Sequence, residues 1–395
     1  MRRIKYLLPA GVSIALALIY FTGIFSKPVA EEVVLADVTP IPVEDSIQHI
    51  TIASVGDLMC HSTQYKYARI EGDSFDFRPC FSYVRSYLES ADLTLGNLET
   101  VTAGNKVAYS GYPYFNSPDD YINSIADVGF DFLVTANNHA NDQGEKGITR
   151  TISILDANGL QHTGTYTSEK DRDSIRVVDV KGVHIAILAY TYSTNDNPLT
   201  PGKPWLVNMC DSALIRQDIL KARTLSDLVL VFYHFGEEYK RLPGDYQKGF
   251  VQHAIDCGAD IILGSHPHVL EPALFFATQN AKLDTGFAIY SMGNFISNQR
   301  DMYTDEGVIV QLHIAKNKHT GACVLEKADY IPTWVYRGEQ EEMKLHMVFP
   351  ANAPDSLLPP FVGKYYSKDV ADARTHTEAI FSTYTNAFRP AVAEN

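Results

Sequence analysis

Seven positions carry side chains that bind cations or move protons, and each stands just after a short apolar run. Asp57 follows Ile50–Val55, and Glu99 follows Leu93–Leu95. Asn138 and His139 follow Phe132–Val134, His234 follows Leu230–Tyr233, and His266 and His268 follow Ile261–Leu263. Carboxylate, amide oxygen and imidazole are the donors that a borderline divalent cation takes. Scattered along a chain these residues mean little. Delivered to one place they describe a ligand set for such a cation.

The elements that would position them alternate in type. Strands are expected at Ile50–Val55, Asp92–Leu95, Asp131–Thr135, Leu228–Tyr233, Asp260–Leu263, Phe287–Ser291 and Gly307–Ala315. Between them the spacing predicts helices from 117 (Ser117 capping, Pro118 in the first turn), at Gly147–Asn158, and near 211–224 and 244–257. Val177–Val180 and His184–Tyr190 read as a hairpin. Such alternation means an α/β protein with a sheet that is parallel in part. In sheets of that kind the crevice lies beyond the carboxyl ends of the strands, where loops converge. All seven residues fall there.

Ordered in this way, the motifs resemble those of the calcineurin-like metallophosphoesterases. More closely still, G-D-L-M (56–59), N-L-E-T (97–100), A-N-N-H-A-N-D-Q-G (136–144), H-F-G-E-E-Y (234–239), G-S-H-P-H-V (264–269) and Y-S-M-G-N-F (290–295) resemble the CapA family of capsule and poly-γ-glutamate biosynthesis proteins. The resemblance spans about 52–315. It implies a four-layer α-β-β-α sandwich with mixed sheets, and two divalent ions drawn from Mn, Fe, Zn or Mg. Asp57 and His268 would hold the first ion, Glu99 would bridge, and Asn138, His234 and His266 would hold the second. His139 would protonate a leaving oxygen or stabilise phosphoryl charge. Phosphoesterases often place a His two residues after the first Asp. Here that position is Met59, and His61 is the candidate substitute ligand. Asn294 reads as a turn residue.

The resemblance also implies an accessory of polymer synthesis, acting on an anionic polymer or a phosphoester beside a membrane-bound synthase complex. A general envelope phosphoesterase and a non-catalytic module that holds an anionic polymer are the competing functions. The aromatic run Tyr109–Phe115 either packs its own rings or walls the cleft, and Lys240 and Arg241 are candidate contacts for an anion.

Composition and termini set the frame. Against 47 Asp and Glu stand 33 Lys and Arg, a net charge of −14, which argues against a nucleic-acid partner. Arg2, Arg3 and Lys5 precede an uncharged run from Leu7 to Phe25, long enough at ~18 residues for one membrane span with the remainder sent outward. The expectation is a single-pass protein of the bacterial cell membrane with its body outside the cytoplasm. A cleaved signal peptide, hence secretion, is the rival. Residues 1–27 are then the anchor, 28–48 a linker, 49–330 the main domain and 331–395 a C-terminal extension, loosely packed after 350. Five scattered cysteines form no disulfide framework.

Overall fold

The computed structural model describes residues 46–278 and 282–391. The expected membrane helix and nearly all of the linker lie outside them, and among the described residues no helix is long and apolar enough to cross a membrane.

In chain order the elements are β1 (Ile47–Leu58), α1 (Ser62–Ala68), the small hairpin β2 (Arg69–Glu71) and β3 (Ser74–Phe75), α2 (Arg85–Glu89), β4 (Leu93–Leu98) and α3 (Asp119–Asp127). Then come β5 (Phe132–Val134), α4 (Gly144–Ala157), β6 (Gln161–Thr163), α5 (Glu169–Arg172), β7 (Arg176–Val180), β8 (Val183–Thr191), α6 (Ser212–Arg223), β9 (Leu228–His234), α7 (Asp245–Cys257) and β10 (Ile261–Ser265). The chain continues with β11 (Ala273–Ala277), β12 (Thr285–Ile289), β13 (Asn294–Ile296), β14 (Glu306–Asn317), β15 (Cys323–Arg337), β16 (His346–Pro350), α8 (Pro360–Tyr365), α9 (Ser367–Phe381) and β17 (Arg389–Pro390).

Two mixed sheets result. One runs β16-β15-β14-β1-β4-β5-β6, and the other β11-β12-β10-β9-β8-β7. The β1-β4-β5-β6 part of the first and the β12-β10-β9-β8 part of the second are parallel. Alternation along each strand decides what faces what. Ile185 and Ile187 join Ile52, Leu93 and Phe132 in a core between the sheets. Their neighbours Ala186 and Leu188 turn outward, under Ile215 and Ile219 of α6 and Val251 of α7. On the far side Ala53, Val55 and Leu133 lie under Tyr121 and Ile125 of α3 and Leu155 of α4. Helices thus cover both outer faces.

The parallel part follows the expected strands and helices closely. The α3 start is offset by one residue, with Pro118 as cap and Asp119 and Asp120 in the first turn. The C-terminal third corrects the sequence reading. A boundary at 330 would cut through β15, and the segment taken for a loose tail packs against the first sheet. Phe381 of α9 lies edge-on to Tyr330 at 4.8 Å, and Trp334, Phe349, Val362 and Val370 share a further core. The pattern faded after 316 because β15 carries Glu326, Lys327, Asp329 and Pro332, which break a strand signature.

One irregularity in β1 matters for the site. Val55 pairs with Gly96 but Asp57 pairs with Asn97, so Gly56 is an extra residue. This bulge reverses the alternation. Strict alternation would place Asp57 on the helix-covered face with Ala53 and Val55. Instead it shares a face with Asn97, toward the crevice between the sheets. Only Gly fits, since a Cβ at 56 would stand 1.9 Å from the Gly293 carbonyl oxygen, and Asp57 N–H donates to that oxygen at 3.0 Å. Gly56→Ala is therefore expected to cost about 3 kcal/mol of stability, at the upper end for overpacking, read as a shift in the urea midpoint of the full chain. An unchanged midpoint would refute the close approach.

Candidate metal centre

Asp57 at the end of β1 and Glu99 just past β4 come from the first sheet. His234 at the end of β9, and His266 and His268 just past β10, come from the second. Asn138 and His139 follow β5. The structure brings six of the eight candidates into one buried cluster. Asp57, Glu99 and His234 are fully buried, and Asn138, His266 and His268 nearly so. Among the described residues two groups of His, Cys, Asp and Glu have ligand atoms within 4.8 Å of one another. They are Asp57, Glu99, His234 and Glu99, His266, His268. Glu99 belongs to both.

Hydrogen bonds fix how these rings and carboxylates point. Asn97 Nδ2 donates to Asp57 Oδ1 at 2.8 Å and, more weakly, to Glu99 Oε2 at 3.4 Å. His268 Nδ1 lies 3.1 Å from Asn294 Oδ1 and 3.2 Å from Asp57 Oδ2. The Asn294 amide nitrogen donates to Gln299 Oε1 and the Thr304 carbonyl, so its oxygen is what faces His268. Nδ1 is therefore the donor in these contacts, and Nε2 faces Glu99 Oε1 at 3.8 Å. His234 Nε2 stands 2.9 Å from Asn138 Oδ1, with Ser265 Oγ 3.0 Å from its Nδ1. His266 and His268 both hold positive φ, +101° and +60°. Such strain in non-glycine residues is found where the surrounding structure aims a side chain.

The electrostatics are one-sided. Burial alone would raise the Asp57 carboxyl. The hydrogen bond and charge of His268, with His234 and Asn97, override burial and hold it well below the usual carboxylate range. Glu99 goes the other way, pushed well above its ordinary value by burial and then by the charge of Asp57. Burial also holds His234 well below the usual imidazole range and lowers His266 to about 3, so both are neutral, the ligating form. Two polar atoms remain without a partner in this pocket, Glu99 Oε1 and His266 Nδ1. Buried polar atoms are nearly always paired. A cation bound between carboxylates and neutral imidazoles would satisfy both, so the residues present fit a divalent metal.

His139 stands beside this cluster. Its Nδ1 is 2.8 Å from Asp142 Oδ2, whose side chain is fully buried and also accepts from Phe115 N–H at 2.7 Å. Nε2 is the nitrogen left for chemistry. Phe115 meets the ring edge-on at 4.7 Å and the exposed Tyr112 lies 6.2 Å away. The aromatic run thus both packs, through buried Phe115, and walls the cleft, through Tyr112. His61 caps α1 outside the two ligand groups. Its Nδ1 meets Gln64 Oε1 at 3.2 Å and Asn298 N at 3.3 Å, leaving Nε2, and burial lowers the ring to about 4. Arg241 is already engaged, donating to the His376 carbonyl and lying over the Tyr303 ring. Lys240 is exposed.

Sequence reasoning missed Asn97, Asp142 and Tyr192, whose ring lies 4.5 Å from His266, and it took Asn294 for a turn residue. Asn97 had a signal, since it stands two residues before Glu99 and so on the same face. Asn294 had none. Its strand β13 is three residues long and pairs with β1 beside Asp57.

The unbalanced carboxylate gives a prediction for metal-free protein. A carboxyl raised by folding contributes stability that is full below its unfolded pKa and is lost as pH rises toward the folded value. In EDTA, Glu99→Gln should raise Tm over wild type, by a margin that widens as pH climbs above 4.5. A margin that is flat with pH would refute the uncompensated charge.

Comparison with known proteins identifies the family. Residues 51–299 match the family model described as bacterial capsule synthesis protein PGA_cap. The capsule biosynthesis protein CapA of Bacillus anthracis is 30% identical over 300 residues, covering 74% of this chain and 69% of that one. The PGA biosynthesis protein CapA of Bacillus subtilis is 31% identical over 284 residues, 68% of each. A solved structure described as a novel phosphatase from Mycoplasma pneumoniae aligns with TM-score 0.45 at 14% identity, over 72% of this chain and 94% of that one. The chain belongs to the PGA_cap family, that of the CapA capsule biosynthesis proteins.

Proposed function

We propose that this chain serves capsule or poly-γ-glutamate synthesis at the outer face of the bacterial cell membrane, held there by its N-terminal segment, through a dinuclear metal centre of phosphoesterase type. The observation that carries the metal reading is Glu99, whose buried carboxylate belongs to both ligand groups and keeps one oxygen without a partner. Family membership carries the polymer reading. The order of the motifs and their placement at facing strand ends support a calcineurin-like metallophosphoesterase fold.

In this reading Asp57, His268, Asn138, His234 and His266 would hold two divalent ions, with Glu99 shared and His61 Nε2 as a further ligand. Bound there, the ions would supply positive charge for a phosphoryl group and acidify water. The chain supplies the remainder. Asn97 and Asn294 orient Asp57 and His268. Asp142 fixes the His139 ring, so that a proton held at Nε2 passes to the leaving oxygen. Tyr112 and Tyr192 flank the cleft. The substrate is a phosphoester or anionic polymer of the envelope, met beside a membrane-bound synthase complex. The His139–Asp142 pair favours a catalyst over a polymer-holding module, because a holding site needs no proton donor.

His139→Ala in the full chain should lower turnover of a generic phosphodiester by about 10²–10⁴-fold while metal content, read by elemental analysis, is retained. Asp57→Asn should lose both. Polymer binding without turnover, intact in Asp57→Asn, would overturn the catalytic reading. Deleting residues 1–27 should move the protein from the membrane fraction to the soluble one, and retention in the membrane fraction would overturn the anchor.

A further inference from the structure

Among the described residues six that are not glycine hold a positive φ, and four of these, Tyr239, His266, His268 and Tyr303, gather around one candidate ligand, His268. Such backbone persists only where neighbouring structure over-determines it. Two loops supply the neighbours. The first joins β9 to α7. In it Tyr239 N–H donates to the Pro267 carbonyl, between His266 and His268, at 2.8 Å, and the Tyr239 ring lies 6.2 Å from that of His268. The second joins β13 to β14. In it the Gln299 side chain and the Thr304 carbonyl hold Asn294, whose amide oxygen is 3.1 Å from His268 Nδ1.

The same two loops are joined by a contact between their next residues. Arg241, two residues past Tyr239, lies over the ring of Tyr303, one residue before Thr304, with its guanidinium carbon 4.3 Å from the ring centre. This is a cation–π pair, and both side chains are half-buried. Helix α9, which lies beyond the residues that match the family model, completes the contact. The His376 carbonyl accepts from Arg241 Nη2 at 2.9 Å, the His376 ring meets Tyr303 edge-on at 5.0 Å, and its Nδ1 stands 2.6 Å from Glu306 Oε1 at the start of β14. One residue of the C-terminal helix thus touches the first loop, the second loop and the strand that follows it. Val370 and Phe381 already dock α9 against β15, so these contacts are additional to what holds the helix in place.

We infer that Arg241, Tyr303 and His376 form a clamp that positions His268 for its ion, so that the C-terminal helix sets the metal affinity of the centre from outside the pocket. The inference rests on the metal reading proposed above. The three are positioning residues. They act through Tyr239 on one side of His268 and through Asn294 on the other. Groups that fix the angle of a ligating imidazole contribute to metal affinity without meeting the metal.

Cobalt(II) is titrated into the metal-free full chain in detergent and followed by visible absorption. The wild type should take up two ions. Arg241→Leu and Tyr303→Ala should each weaken one of them by about tenfold, the lower end for groups that orient a metal ligand. Each should also alter that ion's absorption band and weaken the other ion far less. Arg241→Lys, which keeps a cation over the ring, should recover most of the affinity. The double variant should lose little more than either single one, because both break the same contact. His376→Ala should weaken the same ion. Undiminished affinity in both single variants, equal loss of both ions, or additive losses would each overturn the clamp. Undiminished affinity in His376→Ala would overturn the part given to α9. A wild type that takes up no cobalt would overturn the metal reading and this inference together, whereas ions bound alike by wild type and variants overturn this inference alone. If Arg241→Leu fails to fold, Tyr303→Ala and His376→Ala decide.

Discussion

Two carboxylates buried against each other are the constraint to which the rest of this molecule answers. Asp57 and Glu99 are both fully buried, and a shared low-dielectric pocket opposes keeping both charged. The structure resolves this unequally. Asp57 receives Asn97 and His268 and stays charged, while Glu99 receives one long contact and is pushed toward the neutral form. Among the described residues none gives Glu99 Oε1 a hydrogen bond. His266 beside it also keeps one ring nitrogen, Nδ1, without a hydrogen-bond partner. The pocket thus keeps two buried polar atoms that a bound cation would satisfy.

Two half-sheets of parallel strands make that pocket possible. Each ends at the same crevice, so Asp57 and Glu99 come from one side and His234, His266 and His268 from the other. Neither sheet alone holds a ligand set. The close packing of Ile52, Leu93, Ile185 and Ile187 between the sheets is what holds the ligands at their spacing. The helices on the outer faces cover the opposite side of the same strands.

This division explains what the sequence could disclose. Apolar runs of three to six residues announce buried parallel strands, and a polar residue at the end of each announces the crevice. Hence Asp57, Glu99, Asn138, His139, His234, His266 and His268 were readable from pattern and resemblance. The groups that orient them were not. Asn294 depends on pairing between β13 and β1, which no local pattern encodes. Asp142 matters only because a turn returns it to His139. The antiparallel edge β14-β15-β16 was invisible past 316, since Lys327, Asp329 and Pro332 interrupt its alternation while its partner strands supply the order.

The bulge at Gly56 has a consequence for what kinds of change this protein can absorb. Because one surplus residue sets which way Asp57 points, the site is specified by a count along β1 as much as by the identity of its members. Drawing that residue into regular pairing opposite Asn97 would send the aspartate to the helix-covered face with every ligand letter still in place. The centre is therefore exposed to a slip of register in β1 that leaves every side chain of its ligand set unchanged.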